Sequence, residues 1–194
     1  MATSREGDRG VLLVVDVQVD VMKAAWDAAR VVDRVARVVE RARAADVPVL
    51  WVQHEDEELV RGSPGWAFVP ALVPADGEAR VGKRHNSAFE ETVLEAELAA
   101  LGATHLVVAG AATNWCIRCT VHAALERGYD LTLVEDAHTT EDMELGPGRR
   151  VTARDMVDEL NLAMTWSDYP GRVNAVAAAE AVDFARPRAQ RESA

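Results

Sequence analysis

Cysteine is scarce in this chain: its 194 residues include only Cys116 and Cys119. Two cysteines cannot build a disulfide framework, so the fold must rest on an apolar core. Positive charge is also in deficit. Lys and Arg number 21 against 32 Asp and Glu, a formal net charge of -11. Nucleic acid would need clustered positive charge, and that partner class is excluded. No apolar run is long enough to span a bilayer. The first ten residues lack the apolar core of a signal peptide, and the first apolar run is only Val11–Val15. These absences predict a cytoplasmic protein with reduced thiols, a small-molecule partner and no membrane contact. Aromatic residues make up 5% of the chain. Among the few large rings, Trp26, Trp66, Phe89 and Trp115 are candidates for pocket walls, core or subunit contacts.

Nearly half of the residues are hydrophobic, which suits one folded domain over residues 1–194 with polar ends at 1–9 and 185–194. Val11–Val15 is a continuous apolar run that reads as a central parallel strand. Val31, Val32, Val35, Val38, Val39 and Ala42 fall on one face of a helix over 28–45. Strands are expected at 49–53, just before Lys83, at 105–109, 130–134 and 173–177. Helices are expected at 89–101, 114–127 and 149–166. Residues 54–80 and 136–148 read as loops. The alternation predicts a three-layer α/β fold, α-β-α, with a mainly parallel central sheet. Ligands of such sheets sit beyond the carboxyl ends of the strands, and Asp16, His54, Lys83 and the Gly110–Cys116 turn all lie at such ends.

A carboxylate, an ammonium and a thiol at one sheet edge form a chemical unit. Cys116 falls in the first turn of the 114–127 helix, where unpaired N–H groups and the helix dipole favour a thiolate. Such a thiolate is a candidate nucleophile. Asp16 is a candidate proton acceptor for the thiol, and Lys83 a stabiliser of both anions.

Three motifs carry a resemblance. An apolar strand ends in D-x-Q at residues 16–18. Lys83 precedes S-A-F at 87–89. G-x-x-T-x-x-C at 110–116 leads into a helix and then A-x-x-x-x-G at 123–128. In this order the chain resembles the isochorismatase-like cysteine hydrolases, which include nicotinamidases and N-carbamoylsarcosine amidohydrolase, over roughly residues 10–180. The resemblance implies that Cys116 attacks a carbonyl carbon, Asp16 takes and returns the proton, and Lys83 holds the pair electrostatically. It also implies a cis peptide at Ala111–Ala112 and an oxyanion hole built from the Ala112 and Cys116 N–H groups. Gln18, His54, Trp66, Phe89 and Trp115 become candidate substrate-binding residues. Metal-binding nicotinamidases carry D-x-H after the second strand. Here that stretch reads Q-H-E-D at 53–56, so no metal and no cofactor are expected. A homo-oligomer, dimer or tetramer, is a family-level expectation.

Two competing readings remain. W-C-x-x-C at 115–119 fits a thioredoxin-type redox dithiol, and a non-catalytic binding protein could share the fold. Cys119 is read as core packing, and Glu55–Glu58 as a solvated acidic loop.

Overall fold

The structure is a computed structural model that describes residues 7–185. The expectations for residues 1–6 and 186–194 fall outside the described residues. β1 (Arg9–Val15) is apolar on both faces because both are covered. With a side-chain period of two, Val11, Leu13 and Val15 enter one core and Leu12 and Val14 the other. The first core lies under α3 (Leu94–Ala100), α4 (Arg118–Glu126) and α5 (Ala153–Trp166). The second lies under α2 (Ala28–Ala44) and the segment at 179–184.

The sheet has six parallel strands in the order β3-β2-β1-β4-β5-β8. β2 is Val49–His54, β3 Arg80–Lys83, β4 Ala103–Ala111, β5 Asp130–Thr139 and β8 Asn174–Ala177. The chain builds outward from β1 to β2 and β3, then returns to place β4 on the other side of β1. The crevice between the carboxyl ends of β1 and β4 is therefore the switch point of the sheet, the place where such folds bind ligands. Gly110 lets the two strands meet there. It pairs with Val15, has φ +130°, and a Cβ on it would lie 1.9 Å from the Val15 carbonyl oxygen.

Six elements depart from the sequence expectations. The helix expected over 89–101 begins at Leu94, because Glu91 is left-handed (φ 51°) and the Thr92 hydroxyl bonds the Ala88 carbonyl. The helix expected from Arg149 begins at Ala153, where the Thr152 hydroxyl accepts the Asp155 N–H. Residues 149–151 instead form β7 (Arg149–Val151), antiparallel to β6 (Met143–Gly146). β5 runs five residues beyond the expected strand end, and a bulge carries its last residues past Gly110 and Ala111. The short α1 (Val19–Met22) was not anticipated. No helix among the described residues is long and apolar enough to cross a membrane.

Candidate active site

Asp16 is the first residue beyond β1, and its backbone is left-handed at φ 51°. Few residues other than glycine accept that conformation, Asp among them. Lys83 ends β3, two strands away. Cys116 lies in a π-helical turn, Thr113–Ile117, between β4 and α4. In that turn the Ala112 carbonyl accepts the N–H groups of Trp115 (3.0 Å) and Ile117 (3.1 Å). The preceding Ala111–Ala112 peptide is cis.

The three side chains meet in the interior. The Lys83 ammonium pairs with Asp16 Oδ2 at 2.7 Å and donates to Cys116 Sγ at 3.1 Å. It also donates to His54 Nδ1 and to the His85 carbonyl, each at 3.2 Å. Asp16, Lys83 and Cys116 are all buried. Burial pushes the Asp16 carboxyl above the usual carboxylate range, against the pull of the Lys83 ammonium. Burial alone would lower Lys83, but the neighbouring Asp16 carboxylate and Cys116 thiol outweigh it and hold the ammonium above its ordinary range. The Cys116 thiol is pushed up to about 12, first by burial and then by the Asp16 charge, with Lys83 offsetting only part.

That last value corrects the expectation of a dipole-stabilised thiolate. The helix end cannot match the cost of burying a second anion beside Asp16. At neutral pH the sulfur is a thiol, and its proton must be removed during reaction. The raised Asp16 carboxyl is the adjacent acceptor.

Oxygen, nitrogen and sulfur atoms of Asp16, His54 and Cys116 lie within 4.8 Å of one another, a spacing that could suit a metal. The Lys83 ammonium already contacts all three. A buried ammonium is thus the cation of this cluster, and the residues do not fit a metal ion.

The residues expected to bind substrate separate in space. Gln18 is fully buried and spends its amide on backbone: Nε2 donates to the carbonyls of His54 (3.0 Å) and Trp66 (2.9 Å), and Oε1 accepts the His54 N–H (2.8 Å). It ties β1 to the end of β2 and to the loop at 66, with no group left for a ligand. Phe89 is 7% exposed and packs in the core against Tyr129 (5.9 Å between centroids), beneath Arg127, so its ring serves the core rather than a pocket wall. Trp66 is partly buried, and its carbonyl is also bonded by Gln53. Trp115 is 49% exposed. His54 is partly buried, against Lys83.

Sequence reasoning missed three contributors. Asp56, assigned to the solvated loop, accepts a hydrogen bond from His54 Nε2 at 3.1 Å. Gln53 helps anchor Trp66. Asn161 Oδ1 accepts from His138 Nε2, whose Nδ1 accepts from Thr113 in the turn that carries Cys116, each at 2.9 Å. A short spacing was the only available signal for Asp56. No sequence signal links residues 113, 138 and 161.

A family model for the isochorismatase domain matches residues 10–147. The chain belongs to the isochorismatase family. Among the family's curated members, streptothricin hydrolase of Streptomyces noursei is 34% identical over 187 residues, 91% of this chain and 65% of that protein. Ureidoacrylate amidohydrolase RutB of Methylobacterium radiotolerans is 34% identical over 139 residues, 55% of this chain and 54% of RutB. This isochorismatase-family chain therefore spans between about half and two thirds of the length of these relatives. An isochorismatase of Pseudomonas putida KT2440 superposes with a TM-score of 0.80 at 25% identity, covering 94% of each chain.

Proposed function

We propose that this chain is a cysteine hydrolase that cleaves a C–N bond of a small amide, carbamoyl or ureido compound through a thioester. The observation that carries the reading is the buried ammonium of Lys83, 2.7 Å from Asp16 and 3.1 Å from Cys116 Sγ. In the first step Sγ attacks the carbonyl carbon while its proton passes to Asp16. The new oxyanion is met by the Ala112 and Cys116 N–H groups. Asp16 then gives the proton to the leaving nitrogen, the C–N bond breaks, and the amine departs. In the second step water attacks the thioester, Asp16 takes its proton, and the acid and the free thiol are restored. Lys83 keeps a positive charge beside whichever neighbour is anionic. The name of one curated relative, a ureidoacrylate amidohydrolase, favours C–N over other bonds. The reading takes the chain as one isochorismatase-like domain, acting without cofactor as a cytoplasmic homo-oligomer.

The test is ammonia release from a panel of primary amides, ureido acids and N-carbamoyl compounds. The wild-type protein should turn over at least one class, and Cys116→Ala should reduce that rate to background. Turnover surviving in Cys116→Ala overturns the reading.

The redox reading makes a different demand on Cys119. Both cysteines are free, and Cys119 is partly buried one helical turn after Cys116. A dithiol enzyme needs both sulfurs, whereas a hydrolase needs one. Cys119→Ser is therefore expected to hydrolyse at close to the wild-type rate, with stability changed by no more than about 1 kcal/mol. Measured turnover and a urea midpoint check both parts. Loss of activity at unchanged stability would favour the dithiol.

A further inference from the structure

Lys83 has three N–H groups and four polar neighbours: it donates hydrogen bonds to Cys116 Sγ, His54 Nδ1 and the His85 carbonyl oxygen, and it meets Asp16 Oδ2 as an ion pair without hydrogen-bond geometry. Two of these neighbours, Asp16 and Cys116, exchange a proton in the proposed reaction. The other two take no part in it.

His54 is set up as a fixed acceptor. An ammonium can only donate and a carboxylate can only accept, so the Lys83 contact requires a bare Nδ1 and the Asp56 contact a proton on Nε2. Asp56 is itself held in place by the N–H groups of Leu59 (2.6 Å) and Glu58 (2.8 Å) on its other oxygen. The hydrogen bond from Leu59, with those of Glu58 and His54 behind it, keeps the Asp56 carboxyl below the usual carboxylate range despite the opposing desolvation. Gln18 clamps the His54 peptide from both sides.

We infer that the Asp56–His54 pair is a positioning device for Lys83: with the His85 carbonyl it engages two ammonium N–H groups, so that the third is held on Cys116 Sγ and the charge beside Asp16 as the proton moves between them. When the thiol proton passes to Asp16, the carboxyl becomes neutral and the sulfur anionic. The third Lys83 N–H, already on the sulfur, then faces the new anion, while the ammonium nitrogen stays fixed and charged. The sum of charge over the three groups is the same before and after. His54 bonds Lys83 on one side and Asp56 on the other, and it acts through Lys83. The inference rests on the cysteine-hydrolase reading of the site.

The test uses the full chain in four forms: wild type, His54→Leu, His54→Asn and Asp56→Asn. Asn at 54 can place an amide oxygen near the position of Nδ1. Asn at 56 keeps the acceptor for Leu59 and Glu58, but an amide N–H facing Nε2 drives the proton to Nδ1, where it opposes the ammonium. Two readouts are taken: kcat and KM for an amide substrate, and the pH profile of Cys116 alkylation by iodoacetamide. His54→Leu and Asp56→Asn should each lose about 10–100-fold in kcat, the range typical of residues that orient a charged centre, with KM little changed. Their alkylation profiles should move to higher pH, and His54→Asn should recover most of both. Asp56→Asn alone carries the test if His54→Leu fails to fold. Wild-type kcat and an unmoved alkylation profile in Asp56→Asn would overturn the inference, as would an equal loss in His54→Asn and His54→Leu. If wild type releases no ammonia from any amide, yet the alkylation profile shifts as described, the substrate reading fails and the positioning of Lys83 stands.

Discussion

Lys83→Met should reduce turnover by about 10⁴-fold or more, the scale on which an interdependent catalytic group is lost, and should also destabilise the fold by about 3–5 kcal/mol. The two losses have different origins. Turnover falls because the thiol of Cys116, already pushed up to about 12, loses the nearest positive charge that lowers it. Stability falls because Asp16 stays 1% exposed with no cation to balance it. The remedy for stability is to remove the second charge as well. Asp16→Asn combined with Lys83→Met should recover most of the lost stability and none of the activity, since a pair replaced by neutral groups of similar size is often close to neutral.

The sign of the pH dependence gives an independent check on the single variant. Burial already holds the Asp16 carboxyl above its ordinary value, and without Lys83 it moves further up. A carboxyl raised in the folded state binds more protons there than in the unfolded chain, so stability falls as pH rises through the interval between the two values. The deficit of Lys83→Met should therefore shrink as pH is lowered toward the ordinary carboxylate range. Urea unfolding at several pH values reads this directly. A deficit that is independent of pH would mean that Asp16 is not the group left uncompensated.

The strand-end residues could be read from the sequence because parallel sheets leave a local trace. Val11–Val15 and 105–109 are apolar runs with no alternation, which only a strand covered on both faces tolerates. The residue that follows such a run is placed at the sheet edge by chain geometry alone. Asp16 and the Gly110–Cys116 turn were found in this way. What lies between strands was not legible to the same depth. The extension of β5 to Thr139 follows from pairing with Ala111 across a bulge, a long-range event that periodicity does not record. The role of Gln18 depends on where His54 and Trp66 come to rest, 36 and 48 residues away. Phe89 stayed open between core and pocket wall because a large ring has the same sequence appearance in both. The thiol's acidity was misjudged for a related reason: position at a helix start is local, whereas burial next to a second anion is tertiary.

Stability should also fall steeply in mild acid, by on the order of 3 kcal/mol between about pH 6.5 and pH 4, because of one histidine. His138 is buried and lowered to about 4 from the ordinary 6.5, chiefly by desolvation; its hydrogen bond to Asn161 and the charge of Asp136 oppose this. A base lowered in the folded state is neutral there while the unfolded chain already binds the proton. Its contribution is fully present above the unfolded value of 6.5 and is lost as pH falls toward 4. The Thr113 hydroxyl can turn to accept from a protonated Nδ1, so the cost is charge in a buried site rather than a broken hydrogen bond. His138→Gln should flatten the slope of unfolding free energy against pH across this window, whatever its effect on stability at pH 7. The slope is the readout, which keeps the test valid in a weakened variant. His105 and His122 are lowered in the same direction, each first by burial, and add to the slope, as do the lowered carboxyls of Asp56 and Glu78 at the acid end, while the raised Asp16 carboxyl opposes it. An unchanged slope in His138→Gln would mean that His138 is not the source of the acid sensitivity. The connection to catalysis runs through Thr113, which joins His138 to the turn bearing Cys116 at 2.9 Å.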